Sequence, residues 1–188
     1  MSDPFFFGYG SLVNRSTHDY EEAYPARVQG WRRVWRHTHL RDIAFLTVEP
    51  APGVEIDGLI AGVPQGDWAA LDARETGYDR HMLKGGIAHG APRTVSVQLY
   101  AVPLERAAGG ATRHPVLMSY LDVVVQGYLR EFGEAGARAF FETTAGWDLS
   151  VLDDRDAPQY PRHRTLAASE RGFVDDALAD LGVRVQRG

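Results

Sequence analysis

The chain of 188 residues contains no cysteine, which excludes a disulfide framework, a thiolate nucleophile and a cysteine-ligated zinc together. Long apolar runs are missing as well, and nothing approaches the roughly 18 consecutive apolar residues that mark a membrane-spanning helix. The chain opens Met1-Ser2-Asp3-Pro4-Phe5-Phe6-Phe7, with an acid where a signal peptide is basic and an apolar run too short for a secretory core. A cytoplasmic protein is therefore expected. No basic cluster is present: the formal net charge is -5 and the arginines are scattered, so nucleic acid is not an expected partner. The phosphate-binding fingerprints also fail. Val13 stands where the third glycine of a dinucleotide motif belongs, and no Gly-Lys-Ser/Thr ending follows the N-terminal glycines.

What is present suits an ordinary globular domain, with 44% hydrophobic and 24% charged residues. The length suits a single domain over residues 1–188, large enough to bury its own core. Phe5 to Tyr9 reads as a buried strand feeding a tight loop from Gly8 to Ser11. Strands are expected over Arg27–His39, Ile43–Glu49 and Glu55–Val63, parted by turns at Leu40-Arg41-Asp42 and Pro50-Ala51-Pro52-Gly53. Gly66-Asp67 can start a short helix through Leu71 and Arg74, with Gly77 ending it and Glu75 near its end. Met82–His89 and Arg93–Val102 read as two further strands around Gly90-Ala91-Pro92.

Beyond residue 114 the apolar period changes to that of a helix: Val116, Leu117, Tyr120, Leu121, Val124, Tyr128 and Leu129 share one face, with Pro115 in the first turn. Helices over Glu134–Thr143 and Ser169–Leu181 are expected on either side of a loop holding Pro158 and Pro161. Strands early and helices late predict an α+β fold.

Few residues stand out as candidates for chemistry. Gly8-Tyr9-Gly10-Ser11 after a strand lets backbone N–H groups approach an anion, and it reads equally well as a plain tight turn. Glu75 reads as a surface charge or a proton carrier, and Asp72 and Arg74 beside it read as surface charges. His37 and His39 share one strand face but lack a third ligand, so no metal is expected. Ser11 lacks the Gly-x-Ser-x-Gly elbow of a hydrolase nucleophile. Tyr160-Pro161-Arg162-His163 reads as a lid or an ordinary surface loop.

Taken together, Phe7-Gly8-Tyr9-Gly10-Ser11-Leu12 and Leu71-Asp72-x-Arg74-Glu75, followed by Gly77-Tyr78, resemble the γ-glutamylcyclotransferase superfamily, and most of all its ChaC-type, glutathione-specific branch. Gly30-Trp31-Arg32-Arg33-Val34-Trp35 and Thr47-Val48-Glu49-Pro50 are similar to that branch too. Thr76-Gly77-Tyr78 is one residue shorter than the branch's usual spacing, which has two glycines before the tyrosine. The resemblance implies a small mixed β-barrel with peripheral helices and a small-molecule γ-glutamyl substrate without a cofactor. It gives Tyr9, Gly10, Ser11 and Leu12 the task of binding that substrate, and Glu75 that of general acid and base. Tyr78 either orders the substrate carboxylate, lines the pocket or is structural. A non-catalytic member binding a small metabolite or a partner is the other reading.

Overall fold

The computed structural model describes residues 3–109 and 113–187. In chain order the elements are β1 (Asp3–Gly8), β2 (Ala23–Arg36), β3 (Phe45–Gly62), α1 (Ala69–Arg74), β4 (Asp79–Met82), β5 (Ile87–His89) and β6 (Val95–Ala101), then β7 (Val116–Leu117), α2 (Met118–Glu142), β8 (Thr144–Ala145), β9 (Ser150–Asp153), α3 (Ala168–Asp180) and β10 (Arg184–Arg187). The fold is α+β, as the late clustering of helical periodicity predicts.

The aromatic run forms β1 at the heart of a seven-stranded sheet ordered β4-β6-β1-β3-β2-β5, with β8 alongside β2. β1 runs antiparallel to β3 and parallel to β6. Successive side chains of a strand face opposite ways. Phe5 and Phe7 therefore enter the main core, which α2 covers, while Phe6 enters a second cluster with Leu12, Leu71 and Tyr100 beneath α1. Apolar residues on both faces explain why this segment reads as a continuous hydrophobic run.

The sheet curls. β4 and β5 lie at its opposite ends, yet only residues 83–86 join them. Five Cα steps reach at most about 18 Å, whereas six flat strands would hold their outer members roughly 24 Å apart. The two ends must approach, although no ladder closes them among the described residues.

Three local expectations are corrected. Pro50-Ala51-Pro52-Gly53 is a bulge rather than a turn: β3 continues through it, and pairing resumes from Gln29↔Glu55 to Trp31↔Pro50. Pro52 costs no ladder bond there, because it lies among the residues that the bulge leaves unpaired, and Pro50 stands where the pairing resumes. Met82–His89 is two strands, not one, broken where Gly85 and Gly86 take positive φ. Pro115 precedes β7 instead of opening the helix, since Val116 and Leu117 pair with β9 in a small parallel sheet ordered β10-β9-β7.

α2 spans both helices expected between 116 and 143, with a break at Gly133 (φ 67°, ψ -171°). No helix is long and apolar enough to cross a membrane among the described residues.

Candidate active site

The cradle begins where β1 runs out. Gly8 ends the strand, and Ser11–Val13 forms one 3₁₀ turn. Gly10 is required by crowding: a Cβ there would lie 2.7 Å from the Tyr120 hydroxyl. The Tyr9 side chain turns inward, with 6% of the residue exposed, and its hydroxyl donates to the Tyr100 carbonyl at 2.6 Å. Behind the loop, the Tyr128 hydroxyl donates to the Tyr9 carbonyl at 2.9 Å. The loop is thus pinned from the core side, which leaves its outer face for a ligand.

Glu75 arrives from α1, as the residue that ends the helix. Leu71 anchors that helix in the outer apolar cluster, which swings the following carboxylate over the cradle. The Glu75 side chain is 16% exposed and pairs with Arg74 at 3.1 Å. Arg74 is no surface charge. It donates to the Thr17 carbonyl at 2.8 Å and to the Ser11 hydroxyl at 3.3 Å, so one guanidinium ties the carboxylate to the loop.

All six residues singled out in the sequence, Tyr9, Gly10, Ser11, Leu12, Glu75 and Tyr78, line one narrow crevice of about 30 Å³. Leu12 contributes from its buried place beneath α1, and Tyr78 is held by its hydroxyl donating to the Leu46 carbonyl at 2.9 Å. Ser11, Leu46, Glu75, Tyr78 and Tyr120 also face a wider cavity of about 400 Å³. That volume suits a small metabolite.

Sequence reading missed Tyr120 and left Tyr160 open. Tyr120 hid in the apolar stripe of α2. Tyr160 comes from the loop that reads as a lid or surface loop; its hydroxyl donates to the Ser11 hydroxyl at 2.9 Å and its ring packs edge-on to Tyr120 at 5.0 Å. Pro161 and Arg162 follow it into the cavity wall. No group of three or more candidate metal ligands occurs among the described residues, and the His37 ring nitrogen Nδ1 instead accepts from the His114 backbone N–H at 3.0 Å.

Electrostatically the site is built around one disfavoured charge. Burial pushes the Glu75 carboxyl above its ordinary value of 4.5, against the opposing pull of Arg74 and Arg162. The Tyr78 and Tyr120 phenols are raised well above 10.0, chiefly by burial and further by neighbouring phenols and Glu75. They stay neutral and serve as hydrogen-bonding groups. A carboxyl with a raised affinity for its proton, set where crevice and cavity meet and ringed by neutral phenols, is able to take up a proton and give it back.

A family model described as gamma-glutamyl cyclotransferase, AIG2-like, matches residues 6–133. The chain belongs to this gamma-glutamyl cyclotransferase family. Solved structures agree on the fold. A protein described as a gamma-glutamyl cyclotransferase aligns with a TM-score of 0.59 at 13% identity, over 92% of this chain and 98% of its own. The human protein LOC79017, described as uncharacterized, aligns at 0.57 and 14% identity, over 91% and 97%. YkqA from Bacillus subtilis aligns at 0.57 and 17% identity, covering 78% of this chain and 57% of that protein. No curated protein sequence matches the chain. Both cyclotransferase motifs quoted from the sequence lie inside the matched segment, whereas Tyr160 and Arg162 lie outside it.

Proposed function

We propose that this chain releases 5-oxoproline from a γ-glutamyl peptide or amino acid by internal acyl transfer, with Glu75 carrying the proton and Tyr9 to Leu12 cradling the γ-glutamyl end. The observation that carries this reading is the desolvated Glu75 carboxyl at the junction of crevice and cavity, tied through Arg74 to Ser11.

The substrate's α-nitrogen attacks its own γ-carbonyl carbon, a five-membered ring closes and the amide bond to the rest of the molecule breaks. Because both reacting groups belong to one molecule, the step already escapes a bimolecular entropy cost of about 7–11 kcal/mol, and the cradle has only to hold the bent conformer in which they meet. The α-nitrogen starts as an ammonium and must first lose a proton. A free glutamate titrates about 3.5 units below an α-amine, so the transfer would run uphill by about 5 kcal/mol. Burial of Glu75 narrows that gap. Two protons pass in all from the attacking nitrogen to the departing one, and Glu75 takes up and returns each in turn. No metal or organic cofactor is needed along this route.

Ser11 has a stated part. Its hydroxyl oxygen accepts from Tyr160 and Arg74, which fills the acceptor positions and leaves its own proton to donate into the cavity. Aimed at the γ-carbonyl oxygen, that donor would meet the negative charge that grows during attack. Tyr78, fixed by Leu46, lines the same cavity. Within the family, the opening motif and the Leu-Asp-x-Arg-Glu segment favour the ChaC-type branch. We take residues 1–188 as one domain acting in the cytoplasm.

Incubation with γ-glutamyl compounds, including glutathione, followed by mass spectrometry tests the reading. We expect 5-oxoproline and the free amine of the leaving portion. Free glutamate in place of 5-oxoproline would mean hydrolysis, and an unchanged substrate pool would favour the non-catalytic alternative.

A further inference from the structure

The crevice lining from Gly8 to Leu12, with Glu75 and its ring of tyrosines, contains no cation among the described residues. The wider cavity has three arginines among its described residues. Arg74 is used up by Glu75, Ser11 and Thr17. Arg41 and Arg162 differ, because neither guanidinium has a hydrogen bond or ion pair among the described residues; Arg162 contributes only its carbonyl, to Arg164. Among the described residues, Glu75 is the one carboxylate in the cavity wall. With Arg74 set against it, two positive charges stand without an ion-pair partner in the part of the cavity wall that the crevice does not share.

We propose that Arg162 and Arg41 receive a carboxylate on the departing amine, so that the preferred substrates release an amino acid or peptide rather than a simple amine. This assignment rests on the cyclotransferase reading above. Charge matching supports it: a γ-glutamyl amino acid brings an ammonium to Glu75, one carboxylate at the γ-glutamyl head and a second on the leaving portion. A γ-glutamyl alkylamide lacks the second. The half-buried Arg162 is the stronger anchor, because its charge is felt by Glu75 and water screens it less than the exposed Arg41. A planar guanidinium with no internal partner presents a forked donor pair to a carboxylate.

The matched pair γ-glutamylalanine and γ-glutamylethylamide isolates the effect, since ethylamine is alanine without its carboxylate. We expect the wild-type protein to favour γ-glutamylalanine by about tenfold or more in kcat/KM, the range of a charged hydrogen-bonded contact. In Arg162→Gln that ratio should fall towards one through a raised KM for γ-glutamylalanine, and Arg41→Gln should lower it by a smaller factor. A ratio near one in the wild-type protein overturns the proposal. So does a ratio that survives in both variants, including an equal loss on both compounds, which would assign the arginines to the γ-glutamyl head. Should neither compound yield 5-oxoproline, the cyclotransferase reading fails on its own, and calorimetric binding of the same pair decides the proposal. A preference for γ-glutamylalanine that disappears in Arg162→Gln upholds it, and equal affinities sink it. Thermal melts establish that both variants are folded.

Discussion

Glu75 carries its charge where the fold disfavours it. Because its carboxyl is raised above 4.5 by burial, the folded chain binds this proton more tightly than the unfolded chain. The group's contribution to stability is then complete below about pH 4.5 and is lost as pH rises through the higher folded value. Glu75→Gln removes that loss. We expect the variant to melt higher than wild type at pH 7 and to show no such gain at pH 4; equal differences at both pH values would contradict the buried carboxyl. The same substitution should lower 5-oxoproline formation by about 10²-fold or more, the usual contribution of a positioned acid and base. Turnover at the wild-type rate would remove Glu75 from the mechanism. This opposition of stability and activity is common where a functional group is held in an unfavourable setting. In sequence the residue is one glutamate among many, and only its neighbours in the Leu-Asp-x-Arg-Glu motif single it out.

Among the elements, α2 shows how a local break serves the site. Its first half carries Tyr120 to the cradle and Tyr128 to the Tyr9 carbonyl, and its second half turns at Gly133 to bring Phe140 and Phe141 into the core. The break has φ 67° and ψ -171°, a region essentially restricted to glycine. We expect Gly133→Ala to cost about 1–3 kcal/mol in urea unfolding, and no loss would mean the helix can straighten. Sequence periodicity gives both helical segments. The loop after β9 is set by tertiary contacts instead: the Asp154 carboxylate accepts from the Ser119 N–H and hydroxyl and the Gln159 N–H, and Tyr160 then reaches Ser11. Nothing in the spacing of Pro158 and Pro161 announces that contact.

Across the whole molecule, Arg33 joins the layers. It is 1% exposed, and donates to the Tyr128 and Thr143 hydroxyls, the Thr144 hydroxyl and the Asp57 carbonyl, with the Tyr128 and Phe140 rings about 5 Å away. Burial lowers its pKa below the ordinary guanidinium range, so its desolvated charge is itself costly. Each hydroxyl it bonds also donates elsewhere: Thr143 to the Ala139 carbonyl, Thr144 to the Phe140 carbonyl, and Tyr128 with its single proton shared between the Tyr9 and Asp57 carbonyls. Arg33→Met fills much of the volume and leaves none of those partners alone, so we expect a change of about 1 kcal/mol or less. Arg33→Ala opens a cavity and should cost about 3–5 kcal/mol. Equal losses in the two variants by chemical denaturation would show that charge rather than volume matters there. The same scale decides the curl of the sheet, which no single strand encodes.

By itself the sequence determined the strand-then-glycine opening, the late helices, the α+β class and, through two short motifs, the residues that line the crevice. Those features depend on local patterns: alternation, helical period, glycine at a crowded turn. What the tertiary structure decided was distance. Glu75 becomes a buried acid because Leu71 docks α1 against the sheet. Arg74 becomes a tether because Ser11 and Thr17 fold beneath it. Tyr160, Arg41 and Arg162 join one cavity from segments more than a hundred residues apart in chain order. Desolvation and charge balance arise only when separate segments meet, so no local pattern could have specified them.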